Sequence, residues 1–164
     1  MKRSTLVAAI AVVGFSLTFG MAAEVNFSGD WVLSRRIPSF GAKTPNVILA
    51  IRQMGNDFAV TRTLMDEDQT IESHYTLDGN ENINIVPNAA GRLAVHSTST
   101  WKDGVLVLEG WSTFAGPEKD VITKWKMEYA LSDNGDILTT TETHPTPFSE
   151  AVISQVFNRK SSQE

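Results

Sequence analysis

The stretch Leu93–Phe114, LAVHSTSTWKDGVLVLEGWSTF, sets two strand-like runs around Asp103-Gly104. Asp-Gly between such runs is a two-residue hairpin signal, because both residues tolerate the positive φ that a type I′ turn demands. Lys102 then opposes Val105, and Trp101 opposes Leu106. Side chains alternate sides along a strand. One face therefore collects Leu93, Val95, Ser97, Ser99, Trp101, Leu106, Leu108, Gly110, Ser112 and Phe114. The other collects His96, Thr98, Lys102, Glu109 and Trp111. The first is the core side.

The same reading extends in both directions. Gly55-Asn56 in MGND closes a hairpin that pairs Gln53 with Phe58, Ile51 with Val60 and Leu49 with Arg62. The acidic turn MDEDQ pairs Leu64 with Ile71, Val60 with Tyr75 and Arg62 with Ser73. LDGNENI pairs Leu77 with Ile83. LSDNGDI suits a three-residue loop with Gly135 left-handed, pairing Leu131 with Ile137 and Trp125 with Thr143. Val121, Trp125, Met127, Tyr129 and Leu131 then point inward. FSEAVISQVF reads as a last strand because of its β-branched residues.

Short turns make consecutive strands antiparallel neighbours. An open meander would leave two unpaired edges, and closure removes them. The expected fold is all-β: an antiparallel up-and-down barrel of about eight to ten strands. A two-sheet sandwich is the rival, but it needs longer crossovers.

Met1-Lys2-Arg3, the apolar run LVAAIAVVGFSLTFG and the small residues of MAAE follow the order of a secretory signal peptide. Gly20 and Ala22 fit the small positions before cleavage better than Met21 and Ala23. The expected organisation is a signal over residues 1–23 and one barrel domain over 24–164. The expected location is secreted or periplasmic, in a bacterial envelope, with no stable membrane insertion after cleavage. Losing Lys2 and Arg3 moves the formal charge from −5 to −7, against a nucleic-acid partner. The chain has no cysteine, which excludes disulfides, thiolate metal sites and a Cys nucleophile.

The entry NFSGDWVLS, Asn26–Ser34, places Gly29 two residues before Trp31, and VFNRK near the other terminus carries Arg159. A barrel entered through Gly-x-Trp resembles the lipocalin and calycin superfamily. That resemblance implies that Trp31 packs across the closed end of the barrel. It also implies that Arg159 stacks on Trp31 and bonds the N-terminal backbone. Gly29, Trp31 and Arg159 are thus the expected closure residues.

Arg62 falls on the inward face with Leu49, Val60, Ser73 and Tyr75, and Arg35 shares the parity of Trp31 and Leu33. An inward charge must be paired or must meet a counter-ion. The arrangement resembles intracellular lipid-binding barrels, in which an inward Arg and Tyr hold a carboxylate. By that resemblance Arg62 and Tyr75 hold an anionic head group, while Trp101, Phe114, Trp125 and Met127 line the apolar part. His74 and His96 face outward, and His144 opens HPTPF, read as a loop over a barrel end. No metal-ligand spacing, nucleophile elbow, phosphate loop or cofactor motif occurs. The leading function is binding of a small apolar or amphipathic, anionic molecule in the barrel. A protein-interaction or inhibitor module of the envelope comes second. A cavity enzyme, an isomerase or hydratase, comes third.

Overall fold

A computed structural model describes residues 25–38, 45–88, 91–115 and 120–161. The expected signal over 1–23 lies outside these residues. Ten antiparallel strands form one sheet. They are β1 (Gly29–Ile37), β2 (Val47–Met54), β3 (Asp57–Leu64), β4 (Gln69–Thr76) and β5 (Asn82–Asn88). Then come β6 (Gly91–Lys102), β7 (Val105–Phe114), β8 (Val121–Leu131), β9 (Ile137–Pro145) and β10 (Glu150–Arg159). Each strand follows its sequence neighbour, and β1 pairs with β10, so the sheet curls until β4 and β5 meet. The all-β barrel stands as expected.

The deciding hairpin has the expected register, with Lys102 opposite Val105 and Trp101 opposite Leu106. Asp103 and Gly104 take φ of 51° and 80°. The β2–β3 pairing is also as expected, with Leu49 opposite Arg62. Longer loops depart. The β3–β4 turn holds four residues, so Arg62 opposes Ile71, and Val60 opposes Ser73. That slip of two residues keeps every side chain on its expected face. At β8–β9, Ser132 N–H donates to Ile137 O (2.9 Å) and closes a loop of four residues, 133–136. Leu131 therefore opposes Leu138, and Lys126 rather than Trp125 opposes Thr143. A slip of one residue turns β9 over. Glu142, opposite Met127, faces inward.

A bulge between Leu33 and Arg35 changes the parity of β1. Arg36, opposite Gln155, now shares the inner face, and Arg35 is exposed. The expected inward position of Arg35 is corrected accordingly.

The β4–β5 junction carries no backbone ladder among the described residues, so Leu77 and Ile83 are not a ladder pair. Two asparagine side chains join the edges instead. His74 N–H donates to Asn84 Oδ1 (2.7 Å), and Asn84 Nδ2 donates to His74 O (2.9 Å). Thr76 N–H donates to Asn82 Oδ1 (2.7 Å), and Asn82 Nδ2 returns to Thr76 O (3.3 Å). Each amide thus mimics one rung of a ladder and meets backbone groups that would otherwise lack a partner. Asn82 and Asn84 are buried while Ile83 and Ile85 are exposed.

The core sits at the end of the barrel where β1 begins and β10 finishes. Phe27, Trp31, Phe58 and Phe157 are fully buried there. The segment ahead of β1 enters the barrel mouth as a plug. Phe27 stacks on Trp101 (5.9 Å between centroids) and meets Phe58 and Tyr129 edge-on. Gln53 fixes the plug by accepting from Phe27 N–H (3.0 Å) and donating to Val25 O (3.1 Å).

Candidate functional site

At the plugged end, Trp31 and Arg159 are register partners. The guanidinium lies 4.2 Å from the centroid of the Trp31 ring. Arg159 Nη1 donates to Ser28 O (2.8 Å), and Nε donates to Gly135 O (2.9 Å). Trp31 Nε1 donates to Phe27 O (3.1 Å). A Cβ on Gly29 would overlap Arg159 Nη1, so the close approach of this guanidinium needs a glycine there. One cation therefore ties the plug, the β8–β9 loop and the last strand together, and it covers an indole face.

Above the plug lies an internal cavity of ≈ 310 Å³. One wall, from β2, β3 and β4, presents Leu49, Val60, Arg62, Ile71, Ser73 and Tyr75. Val86, Val95 and Ser112 come from β5, β6 and β7. The opposite wall is Trp125, Tyr129, Glu142, His144 and Gln155. Trp125 reaches its place by lying against Gly110, its register partner on β7. A Cβ at Gly110 would collide with the indole and with His96 O.

The electrostatics of this space are uneven. Arg62 Nε is buried with no hydrogen-bond partner, and Arg62 makes no salt bridge among the described residues. Glu142 Oε1 lies 2.7 Å from His144 Nε2, each side chain about one-third exposed (33% and 36%). Burial pushes the Tyr129 phenol far above its ordinary range. Tyr75 and Glu142 add to that rise, and Arg62 opposes it. Burial raises Tyr75 too, against a hydrogen bond from the Ser73 side chain. Both phenols are therefore neutral donors at any physiological pH.

Of the residues singled out in the sequence, Arg62, Tyr75 and Trp125 meet in this cavity. Trp101 belongs to the plug, where it stacks on Phe27. Met127 packs against the core cluster. Phe114 ends β7 and is 39% exposed. None of these three lines the cavity. Sequence reading missed Glu142, His144 and Gln155. His144 is a strand residue of β9 facing the cavity, because the extra residue in the Ser132–Ile137 connection reverses that strand. The tract SDNGD, with five loop-forming residues in a row, is the signal that could have shown it. No group of three or more His, Asp or Glu side chains among the described residues is placed to hold a metal ion.

The fold and its cavity define the class: a ten-stranded, lipocalin- and calycin-like antiparallel barrel. Solved structures similar to this chain include the REP1-NXSQ fatty acid transporter. It has a TM-score of 0.58 and 10% identity, over 84% of this chain and 98% of that one. The Schistosoma mansoni fatty acid binding protein in complex with arachidonic acid has a TM-score of 0.58 and 14% identity, over 85% and 100%. The zebrafish ileal bile acid-binding protein in complex with cholic acid has a TM-score of 0.54 and 17% identity, over 82% and 98%. No protein-family model and no curated protein matches the sequence.

Proposed function

We propose that this chain is a secreted or periplasmic binding protein that holds a small amphipathic anion inside its barrel. One observation carries the reading: Arg62, with a buried and unpartnered Nε, lines an internal cavity beside two neutral phenols. A guanidinium is planar and always charged, and it meets a carboxylate through two parallel N–H donors. A buried donor left without a partner, as Arg62 Nε is, costs free energy. A ligand anion at Arg62 removes that cost, and Tyr75 and Tyr129 are near enough in the same space to add donors. Leu49, Val60, Ile71, Val86, Val95 and Trp125 cover the apolar part of the ligand. Their contribution is about 25 cal/mol per Å² of apolar surface removed from water. The similar barrels, a fatty acid transporter, a fatty acid binding protein with arachidonic acid and a bile acid-binding protein with cholic acid, support this reading of the interior.

The test is native mass spectrometry of the mature protein purified from its own host, followed by denaturing extraction. A copurified small amphipathic mass, weakened or lost in Arg62→Ala, is the expected result. A clean apo mass, with no uptake of added carboxylates or apolar fluorescent probes, would overturn the proposal.

A further inference from the structure

The cavity is small and polar at both walls, which narrows what it can hold. Its ≈ 310 Å³ lies at the lower end of the range for small-molecule sites, about 300–1,000 Å³. A cavity at that end of the range favours a compact ligand over a long one.

The walls also differ in sign. Arg62, on β3, offers a cation. Glu142 and His144, both on β9, offer a carboxylate and an imidazole already bonded to each other. In the sheet β3 and β9 are separated by β2, β1 and β10, so the two groups face each other across the barrel. No salt bridge joins Arg62 to Glu142, and Tyr129 lines the same cavity as both. A plain fatty acid would satisfy Arg62 and press its methyl end toward a carboxylate that then loses water. A ligand with a hydroxyl or N–H at its far end would instead donate to Glu142.

We infer that the cavity selects a compact, two-ended ligand: an anion held at Arg62, a short apolar body, and a hydrogen-bond donor received by Glu142. The inference rests on the binding reading of the cavity. Glu142 Oε1 is bonded to His144, so a ligand hydroxyl has the other carboxylate oxygen to donate to, and a hydrogen bond to a charged group favours the hydroxylated ligand.

Three probes test it by isothermal titration calorimetry on the mature protein stripped of copurified ligand: 3-(4-hydroxyphenyl)propanoate, 3-phenylpropanoate and hexadecanoate. The hydroxylated acid is expected to bind roughly tenfold or more tighter than 3-phenylpropanoate, the effect of one hydrogen bond to a charged group. Hexadecanoate is expected to bind more weakly than either. In Glu142→Ala the preference for the hydroxyl is expected to vanish while 3-phenylpropanoate keeps its affinity. Glu142→Gln, which preserves the side-chain shape, is expected to weaken the preference in a protein that stays folded. Hexadecanoate binding as tightly as the hydroxylated acid would overturn the inference and leave the binding reading standing. So would a hydroxyl preference that survives both substitutions. Binding of none of the three would overturn both.

Discussion

Asn84→Ala removes both hydrogen bonds by which the Asn84 amide spans the β4–β5 seam, to His74 N and to His74 O. At a net ~0.5–1.5 kcal/mol per bond, the loss is about 1–3 kcal/mol. Water moderates it, because the His74 side chain on the outer face is 68% exposed and solvent can reach the freed groups. We expect about 2 kcal/mol, or roughly 6–10 °C in Tm for a domain of this size. Asn84→Asp keeps an acceptor for His74 N but sets a carboxylate against His74 O, so it should cost at least as much. Asn80→Ala is the control. Asn80 is an exposed amide of the same turn whose side chain reaches Asp78, and its loss should stay within about 0.5 kcal/mol. Urea unfolding followed by tryptophan emission gives the differences, read at equal m-values. Hydrogen exchange at the His74 amide reports the seam itself. If Asn84→Ala stays within 0.5 kcal/mol of the parent and the His74 amide remains protected, the amides do not hold this barrel closed.

Tyr75 and Tyr129 are the only tyrosines of the chain. Both have pKa values raised by burial, so unfolded molecules ionise first as pH passes the ordinary value of 10.0. The folded state then binds more protons than the unfolded one, and stability falls as pH rises above that point. Tyrosinate absorbance should therefore appear only together with unfolding. A reversible rise near pH 10 in the folded protein would contradict the buried environment assigned to both rings. Arg159→Ala removes the contact with Trp31 and two backbone hydrogen bonds, and should cost about 2–4 kcal/mol in the same urea assay. Arg159→Lys keeps the charge but not the fork, and should recover less than half of the loss.

How far the sequence reached depended on loop length. Two-residue turns leave no choice of register, and the pairings around Gly55-Asn56 and Asp103-Gly104 were legible to the residue. Four-residue loops have more than one closure. At β3–β4 the error was two residues, an even number, so Arg62 and Tyr75 were still read on the inner face. At β8–β9 the error was one, an odd number, and it hid Glu142, while the prolines of HPTPF made His144 read as a loop residue. The β1 bulge exchanged Arg35 for Arg36 by the same arithmetic, and nothing in SRRI marks where an extra residue is accommodated.

The strand β5 shows why alternation alone misleads at a seam. In NINIVPN the asparagines at 82 and 84 point inward, and the isoleucines at 83 and 85 stand 57% and 47% exposed. Hydrophobicity alone would invert this strand. What decides against inversion is the edge of β4. Its backbone groups at His74 and Thr76 have no ladder partner, and an unpaired backbone group costs more than an exposed isoleucine forgoes. An amide carries one donor and one acceptor at the reach needed to replace a rung. An isoleucine pointing the same way would leave both backbone groups unmet. Ser99 Oγ, donating to Thr76 O (2.9 Å) from β6, adds a further bond to the same edge. Polar residues at inward parity next to an ambiguous turn therefore mark where a barrel joins its edges through side chains. Here that join lies along β4, the strand that carries Tyr75 into the cavity wall.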